Sequence, residues 1–558
     1  MLPLANTPLI EYTFEFLANA GVEEIFVYCG AHREQVEEYI TKSKWAAQSS
    51  PFSRLELIQS TSHSIGDAMR DLDSRSLLTG DFLLVYGDVV SNLPLESALA
   101  AHRARRVKDK NAIMTMVLRE AGANHRTKAR GTSPIFVIDP TKDRCLHFEQ
   151  MPNRDQTHFL SIDPELLSEH QELEIRQDLI DCGIDICTPD VLALWSDNFD
   201  FQAPRKGFLH SVLKDYELNG KTFHTHIVSD HYAARVRNLH AYDSLSKDIV
   251  SRWAYPLCPD SNLVQGQSYR LQKGNIYKEE GVILARDCVI GSKTVIGRGT
   301  SIGDKTVIKN SIIGRHCQIG RNVKLDGAFI WDYASVGDGS TVLKSVIANE
   351  ASIGRKCTVE DGALISYGVT IGEGMTIRGE HRITRAKRKQ GSSDAVRGDP
   401  DPAIVGPKGD GFEFQDSDED DEDEPLDGLV SSGPCTSIQF LDMITATDSR
   451  SVQLLKRVDI DTQFRLGSGR PRITRPQPVS SKQLPFGGLS RQPACSELRS
   501  RRVSKYLRLI GAGSRTSKHT VGTYGIAHEY KRLGSPGSAR SGQLLRQAHT
   551  TAHQFWRD

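Results

Sequence analysis

One carboxylate lies where an α/β protein would place a reactive side chain. Asp88 follows Gly87 directly after the apolar run from Phe82 to Tyr86. In open α/β sheets the ligands bind at the carboxyl ends of the strands, so a functional carboxylate is expected at this position. The alternative is that Asp88 only ends a strand.

The cysteines of the chain favour no metal chemistry. Ten cysteines are scattered along the sequence without a CxxC pair, which is typical of reduced thiols in a cytosolic protein. Cys182 and Cys187 are the closest pair and could be half of a metal site, but no second Cys/His pair has the spacing of zinc ligands with them. We therefore expect neither a bound metal nor a cofactor.

Residues 1–255 alternate helix-like and strand-like patterns around Asp88. An amphipathic stretch from Leu9 to Ala20 ends at Gly21, a suitable helix C-cap, and the residues from Val22 to Cys29 form an apolar, β-rich run. The same alternation continues to about residue 118. Helices that alternate with short buried strands predict an open α/β sheet, and we expect it to be largely parallel.

Residues 281–380 repeat with a period of six. Seventeen aliphatic residues recur at six-residue intervals with three steps of five, and glycine follows many of them. They are Leu284, Ile290, Ile296, Ile302, Ile308, Ile313, Ile319, Leu325, Ile330, Val336, Val342, Ile347, Ile353, Val359, Ile365, Ile371 and Ile377. Because a helix has a period of 3.6 and a strand a period of 2, neither alone explains this repeat. Short strands joined by tight corners do, so we predict a β-solenoid of about five coils with these residues stacked inside.

Residues 381–449 have the composition of a linker. A basic cluster within 382–389 opens the segment, and eight acids stand among the nine residues 416–424. Such a run of like charges repels itself and cannot pack, so we expect disorder. The basic cluster suits a solvated segment better than a nuclear signal or a nucleic-acid contact. Ser417, among the acids, is a candidate for phosphorylation by an acid-directed kinase.

Residues 450–558 have a different composition from the rest of the chain. They hold 21 Lys and Arg against 5 Asp and Glu, so the zero net charge of the 558 residues hides +16 here and −16 in residues 1–449. Ser, Arg and Gly dominate without a helical period, which predicts a basic, disordered tail. Aromatic residues for base stacking are sparse, so we expect no specific nucleic-acid partner. A misread exon or frame is a further explanation of this segment.

The sequence gives no sign of a membrane protein. No apolar run approaches the ~20 residues that span a bilayer, and the N-terminus lacks the pattern of a signal peptide. We expect a cytoplasmic protein, in the cytosol, with no membrane partner.

The first two domains resemble the sugar-1-phosphate nucleotidyltransferase superfamily. Within it, the chain is most similar to the epsilon subunits of the translation initiation factor 2B complex. The resemblance covers residues 1–390 and rests on residues 2–12, 21–25 and 85–88, on the hexapeptide repeats, and most specifically on residues 196–202, 232–239 and 252–257.

This resemblance implies a fold and a set of partners. It implies a nucleotidyltransferase-like (Rossmann-like) domain over 1–255, a connector over 256–280 and a left-handed parallel β-helix over 281–380. It also implies a subunit of the guanine-nucleotide exchange factor for initiation factor 2, paired most directly with the gamma subunit and joined to the alpha, beta and delta subunits.

The same resemblance selects one pair of residues. Asn198 and Phe199 resemble the asparagine–phenylalanine pair that, in this family, touches the GTPase and assists nucleotide release. From the residues alone, the pair is equally a surface loop that ends the helix from Pro189 to Trp195.

Two departures from the family pattern limit the chemistry that we expect. Met1 lies past the Gly-rich loop of active nucleotidyltransferases, so we expect that loop and the first, central strand to be missing. Asp67 places an acid where active enzymes usually have a small nucleotide-contacting residue, and a second carboxylate would repel phosphates. Asp88 then marks a degenerate nucleotide or metal position. Residues 450–558 lack the acidic and aromatic helical pattern of the family's HEAT-type exchange domain, so we expect that domain to be absent.

Two other functions compete with this interpretation. The first alternative is an active sugar-1-phosphate nucleotidyltransferase, such as a mannose-1-phosphate guanylyltransferase. The second is a hexapeptide acyltransferase, which uses the same solenoid with a catalytic histidine. His316 is the only histidine in the regular coils before His381, and exposure at a corner explains it more simply.

Overall fold

The computed structural model describes residues 1–29, 33–59, 64–122, 125–128, 132–152, 160–388, 395–414 and 453–457. At 132–133, 152, 386–388, 395–397 and 453–457 the description is limited to the backbone. All of these residues belong to one compact unit, Met1–Leu466. No helix among them is long and apolar enough to cross a membrane.

The first part of the chain is an α/β domain. Its helices are α1 (Leu9–Asn19), α2 (Arg33–Lys42), α3 (Ile65–Arg75), α4 (Glu96–Lys108), α5 (Pro164–Glu169), α6 (Pro189–Asp197), α7 (His210–Lys214), α8 (Tyr216–Asn219) and α9 (Leu239–Val250), with a π-helical turn at Pro204–Leu209 and 3₁₀ turns at Lys44–Ala46 and Pro259–Ser261. Its strands are β1 (Pro3–Leu4), β2 (Thr7–Pro8), β3 (Glu24–Cys29), β4 (Arg54–Gln59), β5 (Phe82–Tyr86), β6 (Val89–Ser91), β7 (Ala112–Glu120), β8 (Thr132–Asp139), β9 (Arg144–Pro152), β10 (Glu174–Arg176), β11 (Leu179–Cys187), β12 (Thr222–Val228) and β13 (Ala233–Arg235).

The second part is a parallel β-solenoid. Its strands are β14 (Arg270–Gln272), β15 (Ile276–Lys278), β16 (Ile283–Leu284), β17 (Val289–Ile290), β18 (Thr294–Ile296), β19 (Ser301–Ile302), β20 (Val307–Lys309), β21 (Ile312–Ile313), β22 (Gln318–Ile319), β23 (Lys324–Asp326), β24 (Phe329–Ile330), β25 (Ser335–Val336), β26 (Thr341–Leu343), β27 (Val346–Ile347), β28 (Ser352–Ile353), β29 (Thr358–Val359), β30 (Leu364–Ile365), β31 (Thr370–Ile371), β32 (Thr376–Ile377) and β33 (Arg382–Thr384). After them come β34 (Ala386–Arg388), β35 (Ala395–Arg397), α10 (Pro402–Val405), β36 (Phe412–Glu413) and β37 (Gln453–Arg457).

A mixed sheet forms the centre of the α/β domain. Within the described residues, its strand order is β10-β8-β9-β12-β7-β11-β5-β37-β3-β4. The neighbours β12 and β7, and β3 and β4, are parallel, whereas the other neighbours are antiparallel. The prediction of a largely parallel sheet is therefore wrong. Burial on both faces makes a strand apolar whichever way it runs, so the apolar pattern carried no information about direction.

Strand β37 fills the place between β3 and β5. Leu454 lies opposite Val27 on one side and Val85 on the other, in antiparallel register with both. The sequence predicts that the central strand is missing, and it predicts no strand after residue 450. By pairing with both neighbours, β37 satisfies backbone N–H and C=O groups that a central gap would leave unpaired.

The elements around Asp88 form for local reasons that the sequence indicated. Helix α1 ends at Asn19, and Gly21 follows with φ +70°, a left-handed conformation that favours glycine. All residues of β5 are buried, which explains its uninterrupted apolar run. The end of β5 therefore lies in the core of the domain and delivers Asp88 to its edge.

The solenoid confirms the six-residue repeat. Ile296 lies opposite Ile313, 17 residues on, and Leu284 opposite Ile302, 18 residues on. All seventeen aliphatic residues lie on strands, and only Leu284 and Ile290 of the first coil are less than fully buried. The solenoid has about six coils over residues 276–383, slightly more than predicted.

Residues beyond 380 pack on the end of the solenoid. Strands β33 and β36 extend the solenoid sheet that begins at β14 and continues to β30. The backbone carbonyl of the buried Val405 accepts a hydrogen bond from the Gly372 N–H at 2.7 Å. We propose on this basis that the solenoid domain ends near residue 414.

The α/β domain and the solenoid share a buried core. The indole N–H of Trp331, next to β24, donates to the Tyr242 hydroxyl on α9 at 3.3 Å, and the Tyr242 and Phe329 rings lie 4.9 Å apart. The Asn6 side-chain amide donates to the Ile313 carbonyl at 2.7 Å. One face of the solenoid therefore fixes the position of the α/β domain.

Candidate functional site

The Asn198–Phe199 pair lies on an exposed turn after α6. Pro189 begins this helix at a position where a missing N–H is tolerated, and Asn198 leaves it with extended backbone. The Phe199 residue is 71% exposed. A single exposed phenylalanine is common on protein surfaces. Phe199 is a candidate contact residue because the surrounding structure fixes the turn that carries it.

Buried aromatic rings hold the base of the turn. Trp195 stacks on Phe208 with ring centroids 4.7 Å apart and ring planes 16° apart. The Phe201 ring meets both of them edge-on, at 6.0 Å and 5.5 Å. All three rings are buried, so the turn is anchored on both sides of Phe199. The packing leaves the Phe199 ring pointing away from the core.

Local hydrogen bonds fix the backbone of the turn. The Asn198 Oδ1 atom accepts from the Asp200 N–H at 2.9 Å, which is the geometry of an Asx turn. The Gln202 side-chain amide donates to the Phe199 carbonyl at 2.7 Å. Asn198 therefore shapes the turn, and Phe199 is the side chain that the turn presents.

Helix α3 contributes an arginine that sequence reasoning missed. The Arg70 guanidinium lies over the Phe199 ring, 5.1 Å from its centroid, and pairs with Asp67 at 2.7 Å. The only signal in the sequence is the spacing of Asp67 and Arg70, which suits an ion pair on one helix face. Nothing in that spacing points to Phe199, which lies 129 residues further on.

Asp88 lies at the end of β5, where the sequence analysis placed it, but an arginine holds it. Arg235 of β13 donates to both carboxylate oxygens, from Nε at 2.8 Å and from Nη2 at 3.1 Å. Its guanidinium also stacks on the Tyr86 ring at 3.7 Å from the centroid. A Cβ atom at Gly183 would come within 2.7 Å of Arg235 Cδ, so glycine leaves room for this pair. Both oxygens of Asp88 thus accept a hydrogen bond from the arginine.

A second buried arginine pairs with two more acids nearby. Arg205 donates to Asp181 from Nε at 2.9 Å and to Asp185 from Nη2 at 2.8 Å. Burial, together with the Asp181 carboxylate, raises the pKa of Asp185 to about 6. Burial also acts to raise the pKa of Asp181, but the charge of Arg205 outweighs it and lowers that pKa. The acids near the strand ends are therefore paired with arginines.

The donors in the described residues do not suggest a metal centre. No three His, Cys, Asp or Glu side chains in that part of the chain are grouped to hold an ion. Cys182 and Cys187 are buried thiols on β11, and burial raises the pKa of each. They contribute to the core of the sheet.

The remaining sequence candidates lie elsewhere. His316 stacks on Tyr333 with ring centroids 5.2 Å apart, at a solenoid corner where its φ is +56°. That contact gives His316 a structural place in the corner. Ser417 and the acidic run lie outside the described residues, as do residues 450–558 apart from β37.

Comparisons with known proteins match one family. A family model for the EIF2B subunit epsilon LbH domain matches residues 273–377. The translation initiation factor eIF2B subunit epsilon of Schizosaccharomyces pombe is 53% identical over 436 residues, which are 77% of this chain and 63% of that protein. The chain is similar to eIF2B epsilon subunits over 77% of its length.

A second member of the eIF2B epsilon family also matches. The subunit of the same name from Dictyostelium discoideum is 41% identical over 298 residues, which are 53% of this chain and 41% of that protein. The chain thus spans less than two thirds of the length of either relative. The resemblance stated from the sequence is confirmed, and the solenoid is a left-handed β-helix of this family.

Proposed function

We propose that this chain is a subunit of the translation initiation factor eIF2B complex and contacts initiation factor 2 through Asn198 and Phe199. Similarity to eIF2B epsilon subunits is the observation that carries the proposal. The complex is a guanine-nucleotide exchange factor, and the chain acts within it in the cytoplasm. Its partners are the gamma subunit most directly, and the alpha, beta and delta subunits.

The exposed turn supports a contact role for Phe199. An aromatic side chain on a rigid, preorganised turn loses little conformational entropy when a partner covers it. Such residues often dominate the energy of an interface. An exchange factor accelerates nucleotide release because it binds the nucleotide-poor GTPase better than the GDP-bound form. Contacts at Phe199 would supply part of that difference in affinity.

The paired arginines argue against sugar–nucleotide chemistry. A nucleotidyltransferase needs a carboxylate to hold a metal ion on a triphosphate, and the positive charge of Arg235, which is paired with Asp88, would repel that ion. We assign assembly and GTPase contact to the described residues. We assign no nucleotide-release step to residues 450–558, because their composition lacks the acidic and aromatic helical pattern expected of an exchange domain.

The test uses the full chain co-expressed with the alpha, beta, gamma and delta subunits. Phe199→Ala should weaken binding to nucleotide-free initiation factor 2 by about tenfold, the effect of removing one central aromatic contact. Leu218→Ala is the matched control, since Leu218 is 90% exposed on α8. Release of labelled GDP by the chain alone should stay near the spontaneous rate.

Each outcome bears on one part of the proposal. Equal affinity of the Phe199→Ala and Leu218→Ala assemblies would contradict the contact at Phe199. A chain that fails to co-purify with the other subunits would contradict its place in the complex.

A further inference from the structure

We infer that Arg70 is a positioning residue that holds the Asn198–Phe199 turn in its binding conformation. This inference rests on the proposed contact between Phe199 and initiation factor 2. Arg70 is only 11% exposed at its side chain, although it lies on the surface helix α3. Its guanidinium is therefore built into the structure beneath the turn.

Three backbone carbonyls converge on one nitrogen of Arg70. The Nη1 atom lies 3.4 Å from the Trp195 oxygen and 3.3 Å from the oxygens of Asn198 and Phe201. Each distance is long for a single hydrogen bond. Together they place one positive charge among three carbonyl dipoles that face the same point, and because Nη1 carries only two N–H groups, the three carbonyls share them.

These contacts take the place of the usual C-cap of helix α6. The last carbonyls of an α-helix have no partner within the helix, and glycine at the C-cap commonly turns the chain to satisfy them. Helix α6 has Asn198 at this place with extended backbone instead of a left-handed glycine. Arg70 supplies the missing donor and the favourable positive charge from a neighbouring helix.

The other bonds of α3 aim Arg70 at the turn. Asp67 accepts from Nη2 at 2.7 Å and so leaves Nη1 directed toward the carbonyls. The N–H of Gly66 donates to the Gln202 carbonyl at 3.1 Å, which ties the first turn of α3 to the same segment. The Arg70 guanidinium and the Phe199 ring then pack together on the outer side. One side chain thus links the end of α6, both sides of the turn and the exposed ring.

The experiment compares arginine variants in the co-expressed complex. Arg70→Ala should weaken binding to initiation factor 2 by about tenfold, as Phe199→Ala does. Arg70→Lys should be intermediate, because lysine keeps the charge but loses the fork of donors. Arg75→Ala is the matched control on the same helix, since the Arg75 side chain is 46% exposed and pairs with Asp71 rather than with the turn. Amide exchange of the peptide covering 195–203 should speed up in Arg70→Ala and stay unchanged in Arg75→Ala.

A double variant separates positioning from direct contact. If Arg70 acts through Phe199, Arg70→Ala should add little to the loss already caused by Phe199→Ala. Additive losses would overturn the inference, as would unchanged exchange at 195–203 in an Arg70→Ala protein that binds weakly. If Phe199→Ala weakens binding and Arg70→Ala does not, positioning by Arg70 is refuted while the proposed function stands. If neither variant weakens binding, the proposed contact itself fails.

Discussion

Phe199 and Asp88 hold equally suggestive places in the sequence, and their contacts give them different roles. Asp88 has both oxygens bound by Arg235, so its charge is used inside the protein. Phe199 keeps 71% of its surface exposed while the backbone around it is fixed by Gln202 and Asn198. A polar group with its partners satisfied inside the fold is a structural element. An exposed ring on a fixed turn is a surface that a partner can use.

Gly66 should be intolerant of even one added carbon. A Cβ atom there would lie 1.9 Å from the Phe201 carbonyl oxygen, which is backbone and cannot swing aside. Gly66→Ala should therefore lower the free energy of unfolding by about 1–3 kcal/mol and displace the turn, although alanine normally favours a helix. Chemical denaturation measures the first effect, and binding to initiation factor 2 the second.

Gly80→Ala is the control for this prediction. A Cβ atom at Gly80 would meet no atom within 4 Å, so the variant should behave like the parent within about 0.5 kcal/mol. Equal stability of the two variants would show that the turn can move away from α3 at no cost.

Asp185 should make stability depend on pH. Its pKa rises from 3.8, the ordinary value, to about 6 in the folded state, so the folded protein binds this proton more tightly than the unfolded chain does. The contribution to stability is complete below about pH 4 and is lost as the pH rises to about 6. Asp185→Asn removes this loss. The unfolding free energy of Asp185→Asn minus that of the parent should therefore increase by about 2–3 kcal/mol between pH 4 and pH 7.

Denaturation at several pH values across that window measures the effect. Asp181 does not confuse the result, because its pKa is lowered and it titrates below the window. Parallel stability curves for the parent and Asp185→Asn would mean that Arg205 keeps Asp185 ionised throughout.

At the scale of elements, the sequence predicted the repeat far better than the sheet. Each coil buries its aliphatic residue against the same position one coil away, as Ile313 and Ile330 do, so the pattern is local and periodic. Sheet order depends on contacts between distant segments. Nothing in the composition of residues 453–457 showed that they would pair with β3 and β5. The turn at Phe199 was found through family resemblance, and Arg70 was not found, since its partners lie more than 120 residues away.

The coils should depend on their inward residues and tolerate changes outside. Ile330 is fully buried and stacks between Ile313 and Ile347. Ile330→Ala should lower the free energy of unfolding by about 2–5 kcal/mol, because it removes apolar burial and leaves a cavity. Ile283→Ala, at a position that is 66% exposed, should change it by less than about 0.5 kcal/mol. Denaturant unfolding of both variants compares them, and similar losses would show that the outward positions also carry the fold.

At the scale of the whole described unit, the solenoid holds the α/β domain in place. Tyr242 of α9 lies between the two parts: its ring packs on Phe329, and its hydroxyl donates to the Pro3 carbonyl at 2.8 Å. The N-terminal residues Leu2 and Leu4 are buried in the same cluster as Trp331. A partner that binds the solenoid therefore also fixes the orientation of the turn that carries Phe199.

Trp331 should couple the unfolding of the two parts. It is nearly fully buried, and its indole N–H bonds the Tyr242 hydroxyl at 3.3 Å. Trp331→Ala should cost about 3–5 kcal/mol and remove the contact across the shared core, so calorimetry of the full chain should show the α/β domain melting before the solenoid. Tyr333→Ala is the control, because Tyr333 lies two residues away and is 60% exposed. If Trp331→Ala lowers the melting temperature but keeps one transition, the remaining contacts, such as Asn6 with Ile313, suffice to make the two parts unfold together.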